Sequence, residues 1–285
     1  MNNNYPITLS SQTLSSYERN GFVVTPEVLT KESMGHYARS VDAEVALRTS
    51  QDKRLLSDKS LYEQSFIQCM RLWETSPDVR SLSCHPGLAG IAAQLMRVRS
   101  VRMWQDQALY KEPGGRETTP HQDQTFWPIG EEPLISAWIP FDDVSISDGA
   151  MAYVPGSHKA GRLRVVDITH TTDPYQILED PALEGKAPEY VEVKAGSVIW
   201  HHGLTVHQAA PNESQATRRV FTIVYIKADA RRTHSWSAYP LDREGIGVGE
   251  VLRGPGMPIL WPEPESVPEP PALTGEGTGP QYRLP

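Results

Sequence analysis

From residue 101 to residue 226 the chain breaks into short runs mixing strand-forming and polar residues, each closed by Gly, Pro or Asp. Residues 101–110, 134–141, 150–154, 191–193, 197–200 and 220–226 read as strands. Strands this short cannot bury a face alone, so the segment reads as an antiparallel barrel or jelly roll. The first hundred residues read mostly helical. Thr30 offers an N-cap for a helix to about Arg48, and residues 61–73 and 86–96 carry helical periodicity. A short strand at 21–24 breaks this helical part. The fold class is therefore α+β, expected as one domain over 1–253, with a helical part at 1–100 and a jelly-roll core at 101–230. Residues 164–189 carry little periodicity and read as a long insert between strands, the kind of segment that forms lids or stays mobile. From Gly254 to residue 285 the chain is rich in Pro and Gly and reads as an extended or disordered tail.

Composition narrows the partners. The 285 residues carry a net charge of −8, which argues against nucleic acid or an anionic membrane surface. No apolar run has the length of a membrane span. Residues 1–11 lack the apolar stretch of a signal peptide. Cys69 and Cys84 are the only cysteines, so no disulfide framework or zinc-type Cys pair is implied. A cytoplasmic location is the expectation, and the oligomeric state is left open, a homodimer included.

Within the strand-rich part lies Thr118-Thr119-Pro120-His121-Gln122-Asp123. On a strand, residues two apart point to the same face, so His121 and Asp123 can aim at one point. His-x-Asp alone is a weak signal. A second imidazole would complete a set of two nitrogens and one oxygen, with open positions opposite, suited to non-haem Fe(II). His201, His202 and His207 all offer it.

Around these residues the sequence resembles the phytanoyl-CoA dioxygenase family of Fe(II)/2-oxoglutarate oxygenases, from about residue 14 to 230. The likeness includes residues 17–26, Leu109-Tyr110-Lys111-Glu112-Pro113, the His121 segment, Val154-Pro155-Gly156-Ser157-His158-Lys159 and residues 195–214. It implies a double-stranded β-helix, a cupin-like jelly roll. It implies His121 and Asp123 as iron ligands and His207 as the third, because His207 has the family spacing to Asn212 and Arg218. Arg218, eleven residues after His207, would clamp the far carboxylate of 2-oxoglutarate with its planar fork. Arg219 would then face the other way, while Val220 and Thr222 share the Arg218 face.

By the same resemblance, Trp138 lines the co-substrate pocket. Lys111 and Gln107 share a strand face and are further cofactor-binding candidates. Ala209 stands where some members carry a serine that bonds the co-substrate, so Thr119 or Gln107 would supply that donor. His158 belongs to a structural turn. Phe126 and Trp127, directly after the metal motif, are substrate-contact candidates together with Trp236. Arg231, Arg232 and His234 would cap the pocket mouth.

The implied activity is oxidation of a C–H bond of a small-molecule metabolite, with O₂ as co-substrate and release of succinate and CO₂. Hydroxylation is the first expectation. Desaturation, cyclisation and epimerisation use the same ligands. A non-catalytic jelly-roll binding protein and a zinc or manganese enzyme without 2-oxoglutarate are the competing classes. Phytanoyl-CoA itself fits poorly, since no Lys/Arg cluster offers footing for the CoA phosphates.

Overall fold

The structure, a computed structural model, describes residues 7–170 and 175–272. Eleven strands occur among them: β1 Phe22–Thr25, β2 Ile67–Met70, β3 Val101–Lys111, β4 Thr118–His121, β5 Leu134–Pro140, β6 Met151–Tyr153, β7 Glu189–Val191, β8 Val198–His202, β9 His207–Ala209, β10 Arg218–Lys227 and β11 Ile259–Trp261. Seven form a larger sheet in the order β1-β8-β5-β10-β3-β11, with β2 also paired to β3. Four form a smaller sheet, β4-β9-β6-β7. All pairings are antiparallel. The inner faces meet in a cluster that joins Trp138, Ile199 and Val220 of the larger sheet to Met151, Tyr153 and Ala209 of the smaller. This is the expected jelly roll.

Helices α1 Ser11–Asn20, α2 Lys31–Thr49, α4 Pro77–Ser83 and α5 Pro86–Met96 cover the other face of the larger sheet. Its central strands are thus buried on both sides. All seven residues of β5 are buried, which explains its near-continuous apolar sequence. Alternation on β10 sends Phe221, Ile223 and Tyr225 into the helical layer and Val220 into the jelly roll. The N-cap at Thr30 forms as expected, its hydroxyl accepting from the Ser33 amide at 3.2 Å. Among the described residues, no helix is long and apolar enough to cross a membrane.

Two expectations need correction. Residues 61–73 do not make one helix. A capping box at Ser60 and Glu63 starts α3 Leu61–Ser65, but Phe66 turns extended at φ −172° and β2 follows. The open edge of β3 from Gln107 to Tyr110 takes up residues 67–70 as a strand. Ladder bonds and the burial of Cys69 and Met70 override the local helical pattern. The segment after Gly254 is not wholly a free tail either. Ile259–Trp261 pairs with the start of β3, and Leu260 is fully buried. Gly90 of α5 leaves room for the Trp261 ring, which an added Cβ would approach to 3.1 Å. Residues 273–285 of that expected tail, and 1–6 of the N-terminal stretch, lie outside the described residues.

The insert between β6 and β7 packs Val166, Ile177 and Leu183 against Val154 and Val206. Its residues 171–174 lie outside the described residues. A last short helix, α6 Tyr239–Arg243, adds Leu241 to a cluster with Trp104 and Trp127.

Candidate active site

The smaller sheet positions both imidazoles. His121 ends β4 and His207 begins β9, and the two are direct cross-strand partners. Each ring is oriented by its own backbone: His121 Nδ1 donates to Thr119 O at 2.7 Å and His207 Nδ1 to Thr205 O at 2.9 Å. A carbonyl only accepts, so each proton sits on Nδ1 and each Nε2 lone pair is free for a metal.

Asp123 lies beyond the strand, at the start of a 3-10 helix over Asp123–Phe126. This corrects the expectation that His121 and Asp123 share a strand. Gln122 stays extended at φ −112° and ψ 123°, so the same-side relation survives. Asp123 Oδ1 lies 3.4 Å from His121 Nε2 and 3.6 Å from His207 Nε2. The ligand atoms of His121, Asp123 and His207 all lie within 4.8 Å of one another. Among the described residues no other His, Cys, Asp and Glu group has that geometry. His202 instead packs on His158, with ring centroids 5.3 Å apart, and accepts from the Leu204 amide. His158 lies in the turn after Gly156, and His202 ends β8 beside it.

Electrostatics favour the metal-binding protonation state. Burial works against the Asp123 carboxylate, while donation from the His201 ring and the Ser136 hydroxyl favours it, and its pKa lies well below the usual range. Burial pushes the His207 pKa down to about 3, so that ring is neutral. A carboxylate with neutral imidazoles is the donor set a divalent ion requires.

The larger sheet supplies the opposite wall. Arg218 on β10 is paired with Lys111 on β3, and Thr222 is flanked by Gln107 and Trp138. Arg218 is 5 % exposed and its guanidinium lies 5.5 Å from the Trp138 ring. One nitrogen donates to Gly149 O at 2.6 Å, while Nε has no partner. No carboxylate pairs with Arg218 among the described residues, and burial pushes its pKa down to about 10. The Thr222 hydroxyl is also buried without a partner. These orphaned groups fit an arriving carboxylate, which would supply the missing acceptors. Arg219 points away and pairs with Asp42 and Asp142, each at 2.7 Å.

A single cavity joins the triad to Arg218, Trp138, Thr222, Gln107 and Thr119. Gln107 Oε1 accepts from Gln68 Nε2 at 2.7 Å, and the Thr119 hydroxyl meets His170 Nε2 at 3.0 Å. Lys111 backs this cavity without lining it. It is fully buried, donating to Arg116 O and the Thr118 hydroxyl. Burial, and then the Arg218 charge, lower its pKa to about 7.

Phe126 and Trp127 line the cavity as expected. Trp236 does not. It is 42 % exposed and stacks on His234, because its chain segment folds back on itself around Arg232. Arg232 spends its donors on His234 O, Ser235 O, Trp236 O, Ile246 O and Asp242, so it is a strut and not a mouth residue. Sequence reasoning missed Tyr62, Phe66, Gln68 and Met70, which the α3–β2 segment places in the cavity wall. Misreading that segment as helix hid them. It also missed Ser136 and a role for His201 at Asp123. The polar side chains in two otherwise apolar strands were the available signal.

A family model described as phytanoyl-CoA dioxygenase (PhyH) matches residues 17–220. The chain belongs to this family. A curated relative, phytanoyl-CoA dioxygenase of Arabidopsis thaliana, is 31 % identical over 162 residues, covering 55 % of this chain and 56 % of the relative. The chain spans about half the length of the curated relatives it matches. Among solved structures, the non-haem alpha-ketoglutarate-dependent carbocyclase SnoK from nogalamycin biosynthesis is similar at a TM-score of 0.73 and 29 % identity. That likeness covers 88 % of this chain and 96 % of SnoK. The epimerase SnoN from the same biosynthesis is similar at a TM-score of 0.69 and 25 % identity, covering 87 % and 97 %. The likeness in fold to these two enzymes extends over most of the chain.

Proposed function

We propose that this phytanoyl-CoA dioxygenase family member is an Fe(II)/2-oxoglutarate-dependent oxygenase that oxidises a C–H bond of an uncharged small molecule, with hydroxylation as the outcome. One observation carries the reading: a three-residue metal set shares a cavity with a buried, unpaired guanidinium. His121 Nε2, Asp123 Oδ1 and His207 Nε2 would hold the ion. Arg218 and the Thr222 hydroxyl would bind the far carboxylate of 2-oxoglutarate, with Trp138 as a wall and Gln107 and Thr119 as flanking polar groups. Bound iron with 2-oxoglutarate and O₂ supplies the oxidant, with succinate and CO₂ as co-products. The chain itself orients both molecules and excludes water through Phe126 and Trp127.

The lining explains the substrate class. Beyond Asp123, Arg218 and the histidines, every described side chain on the cavity is uncharged. Tyr62, Phe66, Met70, Phe126, Trp127 and Ile168 offer apolar faces, and Gln68, Gln105 and Gln107 offer amides. With Arg218 given to 2-oxoglutarate, a CoA ester would find no further cation for its phosphates among the described lining residues. A reducing cytoplasm suits this chemistry, since it keeps iron ferrous and leaves Cys69 and Cys84 as thiols. The likeness to a carbocyclase and an epimerase favours a second outcome at the same site, ring closure or epimerisation.

The test is anaerobic Fe(II) titration with 2-oxoglutarate, watched for the visible charge-transfer band of the chelate. The band should vanish in His121→Ala and His207→Ala and weaken in Arg218→Ala. Folded, iron-loaded protein with no band would overturn the 2-oxoglutarate reading. Product mass then separates a gain of one oxygen from isomerisation or loss of two hydrogens.

A further inference from the structure

We infer that His201 is a positioning residue for the metal-binding carboxylate: together with Ser136 it grips the outer oxygen of Asp123 and leaves the inner oxygen as a single-point ligand. The inference rests on the metal centre proposed above and adds a residue to it. Asp123 has two oxygens in different surroundings. Oδ1 faces His121 and His207 at 3.4 and 3.6 Å. Oδ2 instead faces the larger sheet, 3.2 Å from His201 Nε2 and 3.1 Å from the Ser136 hydroxyl. Ser136 on β5 and His201 on β8 are direct cross-strand partners, so the ladder register brings both donors to one oxygen.

His201 differs from the two metal-binding imidazoles. Their Nδ1 atoms are tied to backbone carbonyls, which frees Nε2 as a lone pair. His201 Nδ1 instead faces the Tyr153 hydroxyl at 3.4 Å, a group that can donate. With Nδ1 accepting from Tyr153, the His201 proton sits on Nε2 and points at Asp123. A ring so arranged is a donor to the carboxylate and not a ligand. His201 is 2 % exposed and Ser136 fully buried, so both donors reach the oxygen from the packed interior of the larger sheet.

The grip has a chemical consequence. A free carboxylate can swing and bind an ion through both oxygens, which fills a position that an incoming bidentate acid needs. Holding Oδ2 on two donors keeps that position open. Outer partners of this kind typically contribute roughly 10–100-fold to metal affinity.

The test uses Co(II) as a spectroscopic stand-in, bound anaerobically to the full chain without co-substrate. His201→Phe keeps an aromatic ring against Tyr153 but removes the donor. His201→Gln restores an amide N–H near the Nε2 position. Ser136→Ala removes the second donor with little change in volume. We expect Co(II) affinity to fall roughly 10–100-fold in His201→Phe, with altered ligand-field bands, to recover most of the way in His201→Gln, and to shift in the same direction in Ser136→Ala. Wild-type affinity and spectrum in His201→Phe would overturn the inference. If His201→Phe does not fold, wild-type affinity and spectrum in Ser136→Ala would overturn it instead. Loss of an imidazole nitrogen from the metal's magnetic-resonance signature in His201→Phe would overturn it too, making His201 a ligand. If the wild type binds no Co(II), the metal centre falls and the inference with it.

Discussion

Replacing Arg218 with methionine should pull stability and co-substrate affinity in opposite directions. The guanidinium is 5 % exposed, lacks a carboxylate partner among the described residues, and has its pKa pushed by burial to about 10. Against an ordinary value near 12.5, and at 1.36 kcal/mol per pH unit, the unpaired charge costs the empty protein about 3 kcal/mol. Methionine removes that cost. It also removes the bond that this charged group makes to Gly149 O, worth about 1.5–3 kcal/mol. The net gain of up to roughly 1.5 kcal/mol should raise Tm by up to about 3 °C for a chain of this size. An arriving carboxylate recovers the burial cost and forms charge-assisted bonds, so loss of Arg218 should weaken 2-oxoglutarate by about 3–5 kcal/mol, on the order of 10²–10⁴-fold. Differential scanning calorimetry of the empty protein and anaerobic calorimetric titration with 2-oxoglutarate measure the two sides. A variant that is less stable yet binds 2-oxoglutarate normally would refute the reasoning and make Arg218 a strut for the Gly149 turn.

Lys111 gives a pH signature. Its folded pKa of about 7 lies below the unfolded value near 10.4. Between those values the unfolded chain holds more protons, so wild-type stability should gain from this group as pH rises from 7 to 10. Denaturant midpoints for Lys111→Met should lose that contribution, and an unchanged slope would refute it. Leu260→Ala should destabilise by about 2–4 kcal/mol in urea titration, because this central residue of β11 is fully buried; a neutral effect would return the segment to a passive tail. Trp236→Ala should leave metal and 2-oxoglutarate affinities within about twofold, whereas Trp127→Ala, buried against Trp104 at 5.7 Å, should lose about 3–5 kcal/mol of stability. A large loss of co-substrate affinity in Trp236→Ala would contradict its place outside the cavity.

The metal set and Arg218 could be read from the chain because their chemistry is local or rigidly spaced. His121 and Asp123 are separated by one extended residue, so they face one side whether or not a ladder continues through Asp123. Arg218 follows His207 at a fixed interval, through one loop that crosses from the smaller sheet to the larger. Alternation alone was enough to send Arg219 outward and Thr222 inward. Strand β3 was legible from its polar alternation, and β5 and β10 from short apolar runs rich in strand formers, the mark of strands buried on both faces.

Contacts between distant segments wrote no such period. Residues 61–73 carry a helical pattern, yet the unpaired edge of β3 turned 67–70 into a strand and brought Gln68 and Met70 to the cavity. The same strand captured Ile259–Trp261 from a segment whose prolines suggested a tail. His201 had seemed only a rival ligand by composition. Its role followed from the register of β8 on β5, which set it beside Ser136 and against Asp123, 78 residues away in the chain. Side-chain type and short spacing suffice where the backbone between two groups has one way to run. Where an open strand edge or a ladder register chooses the neighbour, the choice is a free-energy difference over the whole fold, and the three-dimensional arrangement has to supply it.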